Sequence, residues 1–257
     1  MKVIIMAGGV GRRIKEESLT KPKPMAEIGG FPLIWHIMKI YSFYGFNEFV
    51  ITLDYKSDVI VDYFLNYNQR KSDFIFDMST GIIQSCANKS ENWKIHFLHT
   101  GYRTPTGGVV KKALEYVGNE RVMLTYGDGV ADLNIPELLA FHDEEGTLAT
   151  LTAVLPEPRF GNVLIKNRRV STFAEKPQGE KYINGGFLVL EPKVIEYIKD
   201  ETYAFEKEPM TNLINDNQLS AYCHNGFWGC MDTIHDKDLL IDFWENGGKP
   251  WKIWGKD

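Results

Sequence analysis

Short runs of β-branched and apolar residues recur along the first half of the chain, and segments with helical spacing of apolar residues separate them. The strand-like runs are Val3–Ile5, Phe49–Leu53, Ile95–Leu98 and Val122–Thr125. The predicted helices run from Pro32 to the glycine at 45, over Asp58–Tyr67, over Gly107–Val117 and over Ile135–Glu145. This alternation predicts an α/β fold, in which a Rossmann-like, mainly parallel mixed sheet is flanked by helices. Ligands of such folds bind beyond the carboxyl ends of the strands.

After about residue 148 the pattern changes to strand-like runs that Pro, Gly and Arg/Asn turns connect. These runs are Thr150–Leu155, Gly161–Ile165, Val170–Ala174 and Ile183–Leu190. The sequence has no Ser/Gly-rich or Pro-rich linker. We therefore predict a single domain over 1–257, with one half over about 1–147 and a smaller, β-rich half over about 148–257.

Composition excludes several classes of protein. A chain of 257 residues with 44% hydrophobic residues can bury a sizeable core. Its formal net charge of −5 argues against nucleic acid or an anionic membrane as the main partner. Three cysteines are too few for a disulfide framework, and the apolar stretch near the N-terminus is too short for a signal peptide. No run approaches transmembrane length, so we expect a cytoplasmic protein in a reducing compartment.

A glycine-rich stretch follows the first predicted strand. Glycines let backbone N–H groups turn inward around an anion, and an arginine at the end of the stretch can neutralise phosphate charge. A dinucleotide fingerprint would need a further glycine where Ile14 stands, and a P-loop would need a Lys-Ser/Thr pair after its last glycine. The sequence therefore predicts a triphosphate-binding loop that is neither a dinucleotide-binding fingerprint nor a P-loop. Its residues are Met6, Ala7, Gly8, Gly9, Val10, Gly11, Arg12 and Arg13.

Lysines lie between prolines in the segment Lys21–Met25. The two prolines fix an extended backbone and hold a cation at a defined reach from the glycine loop. Rigid positioning of a cation is what phosphoryl chemistry requires. We predict that Lys23 is a phosphate ligand.

Two aspartates are candidate ligands of Mg²⁺. Asp128 follows a predicted strand and is flanked by glycines, and Mg²⁺ takes one or two protein carboxylates and keeps phosphates and waters as its other ligands. Asp232 lies among apolar and aromatic residues, where a carboxylate is costly unless it is paired or bound to a metal. Nearby Asp132 is expected to cap the helix that begins near Ile135, or to lie in the turn.

The remaining metal-ligating and aromatic residues carry weaker signals. Cys223 and His224 lack a second matching pair for zinc, and the six histidines are expected to be structural or surface residues. Trp251 and Trp254, near the end of the chain, either cap the core or line a subunit contact.

The chain resembles the bacterial glucose-1-phosphate cytidylyltransferases, within the wider sugar-nucleotide pyrophosphorylase family, over nearly its whole length. The matching motifs occur in the family's order. They are Ala7-Gly8-Gly9-x-Gly11-x-Arg13, Lys21-Pro22-Lys23-Pro24-Met25, Glu27-Ile28-Gly29-Gly30, Trp35-His36-Ile37-Met38, Tyr126-Gly127-Asp128-Gly129-Val130-Ala131-Asp132, Arg159-Phe160-Gly161, Glu175-Lys176-Pro177, Ile183-Asn184-Gly185-Gly186-Phe187 and Met231-Asp232-Thr233.

The resemblance implies transfer of a cytidylyl group from CTP to glucose 1-phosphate, with Mg²⁺ held by Asp128 and Asp232. It implies a nucleotide-binding first half and a second half for sugar binding and oligomerisation. The nucleotide would lie against Met6–Arg13, Lys23, Thr104, Gly107, Gly108 and Gly127. The sugar phosphate would lie against Glu175, Lys176, Asn184 and Gly185. Arg13 and Lys23 would be the catalytic cations, and the chain would form a homo-oligomer, often a hexamer.

Two positions depart from the family pattern. The family's threonine in the glycine loop is Arg12 here, and the arginine usual after Thr106-Gly107-Gly108 is Val109. One cation is gained near the triphosphate and one is lost near the substrates. The residues therefore leave open another nucleotide, another phosphorylated sugar or alcohol, or a sensor without catalytic activity.

The residues predict an in-line attack by a phosphate oxygen of the sugar 1-phosphate on the α-phosphorus of the nucleotide, with pyrophosphate as the leaving group. That oxygen is already an anion, so the chain needs no covalent nucleophile. Catalysis then consists of positioning and of charge neutralisation by Mg²⁺, Arg13 and Lys23.

Overall fold

A computed structural model describes residues 1–8, 21–86, 90–156, 162–174 and 181–255. The strands in chain order are β1 (Lys2–Met6), β2 (Glu27–Ile28), β3 (Phe31–Pro32), β4 (Glu48–Leu53), β5 (Phe74–Asp77), β6 (Ile82–Ser85), β7 (Lys94–His99), β8 (Val122–Tyr126), β9 (Gly129–Ala131), β10 (Ala149–Val154), β11 (Asn162–Lys166), β12 (Arg169–Ala174), β13 (Ile183–Asn184), β14 (Leu188–Leu190), β15 (Leu219–His224) and β16 (Trp228–Cys230). The α-helices are α1 (Leu33–Phe43), α2 (Ser57–Leu65), α3 (Tyr67–Lys71), α4 (Thr106–Val117), α5 (Ile135–Glu145), α6 (Glu208–Asn215) and α7 (Ile234–Glu245). Short 3₁₀ turns lie at Lys23–Met25 and Pro192–Tyr197.

The central sheet is mainly parallel, as the sequence predicts. The order of strands in the sheet is β15, β10, β14, β8, β1, β4 and β7. β14 pairs with the start of β10, and β13 pairs with the end of β10 along the same edge. β14 and β13 run antiparallel to their neighbours, whereas the other pairs along the sheet are parallel. The second half of the chain adds β10, β13, β14 and β15 to this sheet, and the antiparallel pairing of β13 and β14 makes the sheet mixed.

Helices cover both faces of the sheet because successive residues of a strand point to opposite sides. Val3 and Ile5 pack with α1 and α5 in one core. Ile4 and Met6 pack with α4 and α6 in a second core on the other face. Among the described residues, no helix has the length and apolar character needed to cross a bilayer.

The helix predicted over Asp58–Tyr67 is two helices, α2 and α3. Asn66 separates them with φ −101° and ψ 19°, and its side-chain amide donates to the Asp62 carbonyl oxygen at 2.9 Å. Asparagine side chains interrupt helices by hydrogen-bonding to neighbouring backbone groups in this way. The helix predictions over 107–117 and 135–145 are confirmed to within one residue.

The prediction of a single strand over Ile183–Leu190 is wrong, because the structure has two strands there, β13 and β14. Thr150 pairs with Val189, and a regular strand would then pair Ala153 with Gly186, but Ala153 pairs with Asn184. Two extra residues are therefore looped out between β13 and β14. Gly186 and Phe187 have φ +78° and +49°, which a regular strand cannot contain.

Trp251 caps the first core, as one of the two readings of the C-terminal tryptophans predicts. Its side chain is fully buried and its ring stacks on Phe227 with 5.6 Å between centroids. Its indole N–H donates to Nδ1 of the buried His36 at 3.3 Å, and Nε2 of His36 lies 2.9 Å from the Ile28 carbonyl oxygen. His36 is therefore a structural residue.

Two hairpins expose apolar side chains on the described surface. The hairpin β5–β6 includes Phe76 and Ile82, which are 52% and 54% exposed, and Met78 in its turn is 86% exposed. The hairpin β11–β12 exposes Ile165 and Phe173. The strands of the second hairpin agree with the predicted runs Gly161–Ile165 and Val170–Ala174, whereas no strand was predicted at the first hairpin.

Candidate active site

The candidate site lies at the carboxyl edge of the sheet, where β1 and β8 end side by side. Met6 pairs with Tyr126 as the last residue of each strand. The amide of Gly127 donates to the Met6 carbonyl oxygen at 3.0 Å, which extends this pairing by one residue. Asp128 therefore leaves the sheet directly beside the start of the glycine-rich stretch.

Gly127 is a glycine because the chain comes very close to it. A Cβ atom at this position would lie 2.7 Å from Cγ of Pro24 and 2.9 Å from the Met6 carbonyl oxygen. The Lys23–Met25 turn packs here with Pro24 and Met25 buried. This close approach sets Lys23 beside Asp128.

A small antiparallel pair of strands brings the two candidate metal ligands together. β9 begins after Asp128 and β16 ends two residues before Asp232, and Gly129 pairs with Cys230. The amide of Met231 donates to the Asp128 carbonyl oxygen at 2.8 Å. Asp232 then leads into α7, where Thr233 and Asp236 form a capping box.

Lys23 lies between the two carboxylates. Its Nζ is 2.7 Å from Oδ1 of Asp232 and 3.5 Å from Oδ2 of Asp128. Burial lowers the pKa of Lys23, but the hydrogen bond to Asp232 and the charge of Asp128 outweigh it, so the net shift is upward. Burial raises the pKa of Asp128; the negative charge of Asp232 raises it further, and the positive charge of Lys23 opposes the shift only partly. The ammonium group therefore stays charged and is the internal counter-ion of the pair.

The same cluster has the composition of a divalent-metal site. Ligand atoms of Asp128, Cys230 and Asp232 all lie within 4.8 Å of one another. The positively charged Lys23 ammonium already lies between the two carboxylates, where a metal ion would be expected. Asp232 is about one-third exposed and is paired with Lys23, so its carboxylate is neither fully buried nor alone. The two carboxylates thus fit a hard cation that shares its remaining ligands with phosphate.

The predicted nucleotide-side residues lie at several places along the chain. Met6 and Ala7 are buried at the end of β1, and a Cβ at Gly8 would lie 2.9 Å from Cβ of Asp54 after β4. Thr104 donates through Oγ1 to the Thr100 carbonyl oxygen at 2.8 Å. The predicted contacts of Gly9, Val10, Gly11, Arg12 and Arg13 lie outside the described residues.

Gly107 and Gly108 are buried at the start of α4 against the segment 201–205. A Cβ at Gly107 would overlap the Tyr203 carbonyl oxygen, and one at Gly108 would lie 3.0 Å from the Glu201 carbonyl oxygen. Packing alone accounts for these glycines, so their role toward a nucleotide stays a prediction. Val109, which departs from the family pattern, is buried in the second core.

On the predicted sugar side, the bulge after β13 positions Asn184 and Gly185. Nδ2 of Asn184 donates to the Tyr126 hydroxyl at 3.2 Å, and its Oδ1 accepts from the Gly186 amide at 3.0 Å. Trp228 donates to the Gly185 carbonyl oxygen at 2.8 Å. Glu175 and Lys176 lie outside the described residues.

Sequence reasoning missed a polar network behind these groups. The Tyr126 hydroxyl donates to Oε1 of Glu206 at 2.6 Å, and Thr106 donates to Oε2 of Glu206 at 2.6 Å. Tyr126 is the first residue of the motif Tyr126–Asp132, and this position was a usable signal for its role. Glu206 lies in no motif, and only the fold brings it to this place.

The prediction that Asp132 caps α5 is wrong. Asn134 is the cap, because its Oδ1 accepts from the Glu137 amide at 3.3 Å. Asp132 instead follows β9, and its Oδ1 lies 3.0 Å from Nε2 of His224, the last residue of β15. The alternative reading, a turn residue after β9, agrees with this position.

A separate cavity of about 510 Å³ opens at the opposite edge of the sheet, before β8 and β10 begin. Its lining includes Arg121, His142 and Glu191, and it contains no predicted site residue. Arg121 donates to Glu191 and Asp143 at 2.6 Å each.

Comparison with known proteins identifies relatives with similar sequences. The family model described as "Nucleotidyl transferase" matches residues 2–254. A glucose-1-phosphate cytidylyltransferase of Salmonella typhimurium is 46% identical, and the alignment covers 99% of this chain and 100% of the relative. A probable glucose-1-phosphate cytidylyltransferase of Bacillus subtilis is 43% identical, with coverage of 99% and 100%.

Solved structures share the fold. HddC from Yersinia pseudotuberculosis superposes with a TM-score of 0.69 at 22% identity, covering 95% of this chain and 99% of that one. A putative glucose-1-phosphate thymidylyltransferase from Bacillus anthracis gives a TM-score of 0.67 at 18% identity, with 96% of each chain covered. The chain therefore belongs to the nucleotidyl transferase family and, within it, to the glucose-1-phosphate cytidylyltransferases.

Proposed function

We propose that this chain transfers a cytidylyl group from CTP to glucose 1-phosphate and releases CDP-glucose and pyrophosphate. The observation that carries the proposal is the cluster of Lys23, Asp128 and Asp232 at the carboxyl edge of the sheet. The activity in the names of the full-length relatives agrees with that chemistry.

In this proposal Asp128 and Asp232 hold Mg²⁺, which supplies positive charge next to the phosphate oxygens when it is bound. The carboxylates then no longer need Lys23 as their counter-ion. Its ammonium group can turn from Asp232 toward the triphosphate and stabilise the negative charge that develops there. Lys23 thus has two alternative anionic partners within reach of one side chain.

The described residues also support the division of roles between the halves. Asn184 is held by the Tyr126 hydroxyl and by its own bulge, which makes its position rigid before the sugar phosphate arrives. Arg13, Glu175 and Lys176 are proposed to complete the two substrate sites.

We also propose a homo-oligomer, with the hexamer as the expected state. The exposed apolar hairpins β5–β6 and β11–β12 support this proposal, because contiguous apolar surface favours subunit contacts. Light scattering on the purified chain measures the mass directly, and Ile165→Glu should lower it; a monomeric wild type would refute the proposal. CTP and sugar phosphates are metabolites of the cytoplasm, where we place the enzyme.

The test is pyrophosphate release with Mg²⁺, with CTP, UTP, dTTP, ATP and GTP each offered with glucose 1-phosphate and with the product identified by mass. We expect CDP-glucose from CTP. Asp232→Asn should abolish most turnover, and Asp238→Asn, an exposed aspartate on the helix α7 that follows Asp232, is the matched control. Product with another nucleotide and none with CTP would overturn the assignment.

A further inference from the structure

The cluster at the carboxyl edge contains one group that the proposed reaction does not use, the thiol of Cys230. Its Sγ lies within 4.8 Å of carboxylate oxygens of both Asp128 and Asp232. Cys230 is half-buried, whereas the other two cysteines, Cys86 and Cys223, are exposed on other strands or turns. The register of β16 against β9 fixes this position, because Cys230 pairs with Gly129, the residue after Asp128.

The spacing of the three groups suits a single ion. Thiolate and carboxylate ligands lie about 2.3 Å and about 2.1 Å from Zn²⁺, so side-chain movements of well under the width of an atom bring all three to one centre. The Lys23 ammonium, 2.7 Å from Asp232, provides an independent sign that this space accommodates a cation. A metal ion would take its place between the carboxylates.

Sulfur changes which ions such a site prefers. Mg²⁺ takes hard oxygen ligands and gains nothing from a thiol, whereas Zn²⁺, Co²⁺ and Cd²⁺ accept thiolate together with carboxylate. A coordinating thiol releases its proton to solvent when the metal–sulfur bond forms.

We propose that Cys230 is a third ligand at the Asp128–Asp232 site, so that the site binds thiophilic divalent cations in preference to Mg²⁺. This inference rests on the proposed metal-binding role of the two aspartates. Its consequence is that Zn²⁺ and Cd²⁺ displace Mg²⁺ at this site and inhibit the enzyme through a bond to Cys230.

The primary test uses Co²⁺ alone as a spectroscopic probe on the full chain, without substrates. Wild type should develop a sulfur-to-cobalt charge-transfer absorption in the near ultraviolet, with one Co²⁺ per chain. Cys230→Ser, a substitution of nearly equal size, should abolish the band, and Cys230→Ala should do the same. Cys223→Ser is the matched control and should retain the band.

A second measurement follows inhibition by Zn²⁺ at constant excess Mg²⁺, with each variant compared with its own uninhibited rate. The Zn²⁺ concentration for half inhibition should rise by about tenfold or more in Cys230→Ser and stay at the wild-type value in Cys223→Ser. The absence of the cobalt charge-transfer band in wild type, or its persistence in Cys230→Ser, would overturn the inference. CDP-glucose formation without a cobalt band would support the proposed function and reject only the role of Cys230 as a metal ligand. A cobalt band without nucleotidyl transfer would support Cys230 as a ligand and reject the proposed function.

Discussion

Acid should destabilise this fold through His36, whose surroundings admit only the neutral ring. The side chain is fully buried and has aromatic edges against it, with ring centroids 4.7 Å from Trp244 and 5.2 Å from Trp35. The indole N–H of Trp251 can only donate, so Nδ1 of His36 must be an acceptor, and Nε2 carries the proton toward the Ile28 carbonyl oxygen. Protonation of Nδ1 would set two donors against each other and place a charge among tryptophans.

The magnitude follows from the pKa. Burial lowers the pKa of His36 from its ordinary value of 6.5 to about 4, and hydrogen bonds to backbone carbonyl groups oppose the shift only partly. Between these values the unfolded chain binds more protons than the folded chain, so the free energy of unfolding falls as the pH falls. The contribution is complete above the unfolded pKa of 6.5 and is lost as the pH drops to about 4. The whole loss amounts to about 3 kcal/mol, of which about 1 kcal/mol is lost between about pH 6 and about pH 5.

The assay is urea unfolding, followed by tryptophan fluorescence, at a series of pH values from neutral to mildly acidic. His36→Gln keeps an amide donor and acceptor and does not titrate in this range, so its free energy of unfolding should depend less steeply on pH than that of wild type. Burial lowers the pKa of His142 too, so the comparison between variants isolates the His36 term. His235→Gln, at an exposed position, should keep the wild-type dependence. Equal pH dependence in wild type and His36→Gln would refute the reasoning, whatever the difference in absolute stability.

Three further predictions concern the site and the core. Lys23→Ala should lower kcat by about 10²–10³-fold, whereas Lys21→Ala, which breaks only an exposed ion pair, should stay near wild type. Steady-state kinetics measures both, and equal rates would contradict the role of Lys23. Gly127→Ala should shift the Pro24 ring beside it and reduce turnover, and a fully active variant would show that the close approach of Pro24 to Gly127 is dispensable. Trp251→Ala should cost about 3–5 kcal/mol of unfolding free energy in urea titrations, and a loss below about 1 kcal/mol would mean that the indole is not part of the core.

Local patterns were sufficient for much of the fold. The β-branched runs at β1, β4, β7 and β8 and the apolar periodicity of α5 are properties of neighbouring residues, and the structure confirms them. The bulge between β13 and β14 could not be predicted in this way. It depends on the register of two different partners along β10, so the sequence around Gly186 reads as one strand.

The candidate site shows the same division. Lys23, Asp128 and Asp232 stand in recognisable motifs, and the structure brings them together. Glu206 and Cys230 matter through contacts with distant parts of the chain, which no local pattern encodes. The roles of the glycine loop and of Glu175 and Lys176 stay predictions.

The pairing of β9 with β16 also determines when the protein can become active during its synthesis. Lys23 and Asp232 are 209 residues apart, and their contact forms only after the ribosome has released almost the whole domain. The strands and helices of the first half can assemble earlier, but a nascent chain at that stage has Lys23 with only one of its two carboxylates, Asp128. Catalytic competence is thus among the last properties that the folding chain acquires, and fragments that stop short of β16 should fold in part without gaining any of the activity.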